Sequence, residues 1–155
     1  MTQTIRDEIK QTRPFRSPAE EAMTNLARTG RLVSDAGDLL FKEFGLSSAQ
    51  YNVLRILRGA GSEGLGRNEI RDRLITRMPD VTRLLERMAE AGLVRRERDT
   101  EDRRCVPTYI TPRGLALLDQ IDAPLTALQQ QLFGHLSTAQ LQTLSELLTL
   151  VRQRS

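Results

Sequence analysis

The stretch RNEIRDRLITRMPDVTRLLERMAEAGLVRRERDTEDRRCVPTYITPRG, residues 67–114, decides the fold. Its first half predicts a short helix over about Arg67–Leu74 and a tight turn at Ile75–Met78. A second helix is expected from about Pro79 to Ala91, opened by a proline whose φ suits the first helical position and ended by Gly92. Leu93–Arg98 and Arg104–Ile110 then read as two strands around the polar tip at 99–103. Short helix, brief turn and second helix make a helix-turn-helix. A lone two-strand hairpin is marginal in water, so this one must lean on the neighbouring helices, as a wing does.

On the second helix, Val81, Leu84, Leu85 and Met88 form one apolar stripe, while Asp80, Thr82, Arg83, Glu86 and Arg87 face away from it. A helix that packs on one side and offers short polar and guanidinium groups on the other can enter the DNA major groove. The hairpin interleaves Arg95, Arg96, Arg98, Arg103 and Arg104 with Glu97, Asp99, Glu101 and Asp102. Acids so placed hold guanidinium groups in fixed poses through charge-assisted hydrogen bonds. Asp102 and Arg104 share one strand face, and an arginine held at a hairpin tip suits a narrow minor groove.

Outward from this centre the chain is helical. Pro18–Phe44 reads as one long helix, with Ala22, Met23, Leu26, Val33, Ala36, Leu40 and Phe44 at helical spacing. Gly30 and Gly37 weaken it by about 1 kcal/mol each relative to alanine. Residues 1–16 are expected to fray. LSSAQ at 46–50 and LSTAQ at 136–140 are both capping boxes, opening helices of about Ser48–Arg58 and Thr138–Arg152. Thr111 and Pro112 cap and open a helix to about Phe133, bent at Pro124. Pro107 lacks a ladder donor, which predicts an edge position for the returning strand. Leu118, Ile121, Leu125, Leu128 and Leu132, with Leu141, Leu144, Leu147, Leu148 and Val151, make leucine-rich stripes that suit a dimer seam.

The totals fit one globular domain: 155 residues, 39% hydrophobic, 28% charged and a net charge of +3. Lys10 and Lys42 are the two lysines, so 21 of the 23 basic residues are arginines, and eleven of these fall between Arg67 and Arg104. Arginine's planar fork pairs with phosphate and guanine edges as lysine cannot. No apolar run is long enough to span a membrane, and the polar start of the chain shows no signal-peptide core. The single cysteine, Cys105, cannot form an internal disulfide and fits a reducing cytoplasm. With His135 the one histidine, neither a histidine metal cluster nor a catalytic triad can be assembled. The residues point to no enzyme and no cofactor.

SSAQYNVL at 47–54, DVTRLLERM at 80–88, GLVRR at 92–96 and DRRCVPTYITPRG at 102–114 resemble a MarR-family regulator. The last stretch matches the family's wing signature, D-x-R, five residues, a leucine-like residue and Thr, with Ile110 in the leucine place. The resemblance covers about residues 20–153 and implies a mainly α, winged helix-turn-helix fold with a small β-hairpin wing. It implies a homodimer whose first and last helices interlock while two lobes read a pseudo-palindromic operator in double-stranded DNA. It also implies a repressor released by a small aromatic ligand. Residues 18–45 and 112–155 would be the dimerisation helices of a single 1–155 domain, and 46–111 the DNA-binding lobe.

By the same resemblance Asp102 orients Arg104 for the minor groove, while Met78, Pro79, Asp80, Thr82 and Arg83 face the major groove. Arg67, Asn68, Arg77, Arg87, Arg98 and Arg103 complete the candidate DNA-binding set. The chain departs from the family at Gly66, where a capping Ser or Thr is usual, and at Pro79–Asp80, where small hydroxyl residues are. An acid there repels phosphate but can accept from a cytosine amino group. A ligand pocket is expected between the long first helix, the Tyr51 helix and the helix after Thr111. The alternative reading is a winged-helix module that docks a protein instead of DNA, which a weak dependence of duplex affinity on salt would reveal.

Overall fold

The computed structural model describes residues 2–97 and 106–154. The chain runs α1 (Ile5–Glu8), α2 (Pro18–Glu43), α3 (Ser48–Ala60), a 3-10 turn (Gly61–Glu63), α4 (Arg67–Arg73), α5 (Thr82–Glu90), β1 (Val94–Arg96), β2 (Thr108–Ile110), α6 (Pro112–Phe133) and α7 (Thr138–Arg152). Both capping boxes form as the sequence predicts: the Ser47 and Ser137 hydroxyls accept from the Gln50 and Gln140 amides. The glutamine side chains accept in return from the serine amides, each at 2.9 Å.

The core gathers in the middle of the sequence. Val53, Leu54 and Leu57 of α3 meet Ile70 of α4, Val81, Leu85 and Met88 around α5, and Leu93 and Val94 leading into β1. Burying each large aliphatic side chain contributes about 1.5–3 kcal/mol. Leu118 and Ile121 of α6 are fully buried in this same cluster. That corrects the expectation that the whole α6 stripe serves a dimer seam. The first half of α6 lies so close to the lobe that a Cβ on Gly114 would stand 2.5 Å from the Leu93 carbonyl oxygen. Gly92, at φ 76°, lets the chain leave α5 and turn directly into β1.

β1 and β2 pair antiparallel in the register Val94↔Ile110, Arg95↔Tyr109 and Arg96↔Thr108. The hairpin has a third partner. Thr108 exchanges both backbone hydrogen bonds with Leu65, at 2.8 and 3.0 Å, so β2 is flanked on both sides there and is not an edge. Pro107 is tolerated because it lies beyond that bridge, where its carbonyl still accepts from the Glu97 amide at 3.2 Å.

The two ends of the chain differ from the lobe. Residues 5–8 do not fray: Thr4 and Asp7 form a capping box, and Ile5 is only 6% exposed. An ion pair between Glu8 and Arg28 ties this turn to α2. On α2 the side chain that buries is Phe41, while Met23, Leu26, Leu32 and Leu39 stay exposed. α7 buries no residue, and Leu147, Leu150 and Val151 are 56%, 64% and 59% exposed. Among the described residues no helix is long and apolar enough to cross a membrane.

Candidate nucleic-acid interface

The helix-turn-helix is assembled around buried anchors. The residue before α4 is Gly66, which has no side chain to cap with, and Glu69 compensates by accepting from the Gly66 amide at 2.9 Å. Ile70 and Leu74 fix its inner face. Past Leu74 the turn is held by a group the sequence reading did not single out. Asn52, buried on α3, accepts from the Ile75 amide at 2.8 Å, which pins the turn to the core. An asparagine inside a stretch of apolar helix was the available signal, because a buried amide needs partners. Its Nδ2 has none among the described residues.

α5 begins later than the sequence predicts. Pro79 does not open it; the helix starts at Thr82, with Val81 as the preceding residue at φ −102°, ψ 0°. The cause is local. The Asp80 carboxylate accepts from the Thr82 amide at 2.8 Å, so the side chain supplies the acceptor that an earlier helical turn would have offered. The Thr82 amide first, then its hydroxyl, hold the Asp80 carboxyl below its ordinary pKa, and the charges of Arg67 and Arg83 add to this. Arg67, at the first position of α4, donates to the Thr82 hydroxyl at 3.4 Å and so joins the starts of the two helices.

The structure brings Arg67, Asp80, Thr82 and Arg83 together at the starts of α4 and α5. Arg67, Asn68, Arg77, Pro79, Asp80, Arg83 and Arg87 are exposed, and Thr82 is half-exposed at the start of α5. Arg83 and Arg87 project from α5 while Leu85 and Met88 fill the core from its other face. Met78 is half-buried and packs against the core cluster. On the hairpin, Arg95 pairs with Glu97 and its guanidinium lies 4.7 Å from the centre of the Tyr109 ring. This cation–π contact joins cross-strand neighbours, and only a register could have disclosed it. Arg98, Asp102, Arg103, Arg104 and Cys105 lie outside the described residues.

On the side of α2 and α3 where a ligand pocket is expected, Phe41 and Tyr51 stack at 4.1 Å with their planes 13° apart. A cavity of about 390 Å³ opens between the end of α2, the end of α5 and the first half of α6. Phe44, Leu46, Leu93 and Leu117 give it apolar walls, with Arg113 and Gln120 as its polar groups. Among the described residues no cluster of His, Cys, Asp or Glu could hold a metal ion.

Comparison with known proteins agrees with this geometry. Residues 46–106 match the model described as "MarR family". The chain is 30% identical to the HTH-type transcriptional repressor IacR of Pseudomonas putida over 126 residues, 81% of this chain and 74% of that one. It is 30% identical to the HTH-type transcriptional regulator PecS of Dickeya dadantii over 97 residues, 62% of this chain, and there spans 58% of the relative's length. A MarR transcription factor of Planctomyces limnophilus superposes with a TM-score of 0.70 at 38% identity, covering 88% of this chain and 99% of that one.

Proposed function

The chain belongs to the MarR family of helix-turn-helix transcriptional regulators, and from that premise we propose that it is a cytoplasmic, homodimeric repressor of double-stranded DNA with no catalytic activity. The observation that carries the reading is the division of α5: Leu85 and Met88 are fully buried on one face, and Arg83 and Arg87 are exposed on the other. α5 enters the major groove, and Arg67 and Asn68 at the start of α4 and Arg77 in the turn reach the flanking phosphates. The hairpin, through Arg98, Asp102, Arg103 and Arg104, meets the adjacent minor groove. Two lobes related by a two-fold axis read the halves of a pseudo-palindrome. Residues 18–45 and 112–155 supply the dimer, because α2 and α7 expose apolar side chains that no other described residue covers. The cavity beside Arg113 receives a small aromatic ligand, an acid by preference, which releases the operator.

The test is selection of bound duplexes from a random pool, followed by affinity measurements across a salt series. Affinity for the selected site should fall steeply with salt, since phosphate neutralisation releases counterions. Arg83→Ala should cost roughly 1–3 kcal/mol and relax base preference at one position per half-site. Uniform weakening over all sequences would reassign Arg83 to a phosphate, and failure to select any duplex would overturn the reading.

A further inference from the structure

The entry to α5 carries an acid where approaching DNA brings negative charge, and the acid is already engaged. One carboxylate oxygen of Asp80 accepts from the Thr82 amide at 2.8 Å. The Thr82 hydroxyl accepts from Arg67 at 3.4 Å. Three residues from the starts of two helices therefore form a chain, Arg67 to Thr82 to Asp80, on the exposed end of the lobe. Val81, between Asp80 and Thr82, offers no side-chain cap and is itself only 1% exposed, so it anchors the chain to the core. Among the described residues the charged groups facing Asp80 are Arg67 from α4 and Arg83 from α5.

We infer that Asp80 is a positioning residue for the DNA-facing groups: its carboxylate sets the start of α5 and, through Thr82, the pose of Arg67, and it reads no base. This rests on the DNA-binding reading and reverses the simplest expectation for an acid in that place. Coulomb's law alone says that removing Asp80 should tighten DNA binding. A base-reading role says that removing it should erase a preference for cytosine at one position. Positioning says something else. Asp80→Ala should weaken binding to every operator variant by about the same factor, five- to thirty-fold. Asp80→Asn should restore it, because asparagine accepts the same amide hydrogen and caps as well as aspartate does.

The decisive measurement is a double-mutant cycle of Arg67→Ala and Asp80→Ala on the selected duplex, with Asp80→Asn beside it. The loss on removing Arg67 should shrink at least three-fold in the Asp80→Ala background, since Arg67 is no longer posed there; mere helix destabilisation would leave the two losses multiplicative. Tighter binding by Asp80→Ala, loss of discrimination at a single base pair, or failure of Asp80→Asn to rescue would each overturn the inference. A second arm needs no DNA, so it separates this inference from the functional reading. In an NMR pH titration of the free protein, the Thr82 amide shift should report a carboxyl titrating below the ordinary aspartate value, and Thr82→Val should raise that midpoint. An Asp80 that titrates at its ordinary value and is unmoved by Thr82→Val would overturn the inference even if wild type binds no duplex.

Discussion

The lobe from α3 to β2 and the helices at the two ends of the chain follow the same rules of periodicity and capping, yet they end in opposite states. In the lobe the apolar stripes close on one another: Leu54, Leu57, Ile70, Leu85 and Met88 are each 1% exposed or less. On α7 a stripe of the same spacing faces outward, with Leu144, Leu147 and Val151 all exposed. The lobe's stripes close on one another, whereas among the described residues those of the terminal helices are left uncovered. A leucine stripe is thus evidence of burial somewhere, and only its neighbours say where. α6 holds both cases, with Leu118 and Ile121 inside the lobe core and Leu128 and Leu132 half-exposed beyond it.

That contrast is breakable by mutation. The largest effect belongs to the lobe: Leu85→Ala should cost about 3 kcal/mol, the scale of a leucine-sized cavity, and the loss should not vary with protein concentration in urea unfolding. Leu147→Asp should act the other way. It should leave the lobe folded but raise the dimer dissociation constant at least ten-fold, about 1.4 kcal/mol, as read by sedimentation. A Leu147→Asp protein that still sediments as the wild-type dimer would place the seam elsewhere.

Two smaller effects sharpen the boundary between the regions. Arg58 of α3 and Asp122 of α6 form a two-pronged ion pair at 2.8 and 3.1 Å, and the Asp122 carboxylate holds the Arg58 pKa above its usual value. Both side chains are about a third to a half exposed, so Arg58→Ala should cost only about 0.5 kcal/mol in thermal unfolding, and less in high salt. The smallest effect is Asp80's contribution to folding. Its folded pKa lies below the ordinary value of 3.8, so the contribution is complete above that pH and is lost as pH falls through the folded value. Between pH 5 and pH 2 the wild type should therefore lose slightly more stability than Asp80→Asn, and an equal loss would mean that the carboxylate is not held.

Legibility followed the range of the interaction. Both capping boxes, the end of α5 at Gly92 and the opening of α6 at Thr111 rest on contacts within a few residues, and all were readable. The start of α5 was misread by three residues because two local signals compete. Pro79 favours an early helix, and Asp80 captures the Thr82 amide and delays it. The edge assignment of β2 failed for a different reason: its second partner, Leu65, lies 43 residues away in sequence and leaves no periodic trace. Asn52 and the Phe41–Tyr51 stack were hidden in the same way, since each meets its partner across helices. Of the candidate site, the residues on α4 and α5 were legible from amphipathicity and the resemblance, but the chain linking Arg67, Thr82 and Asp80 was not.

Thr111 has a mechanical consequence. Its hydroxyl lies 2.7 Å from the Gly92 carbonyl and 3.0 Å from that of Leu93, and it accepts from the Gly114 amide at 3.1 Å. One side chain thus pins the end of α5 to the start of α6. Treated as rigid arms on that pin, α6 reaches about 33 Å from the joint and α5 about 14 Å, at 1.5 Å per residue. The gearing is a little over two to one. On rigid arms of that ratio, a displacement of about 2 Å at the far end of α6 would correspond to about 1 Å at the start of α5, where Thr82 and Asp80 sit.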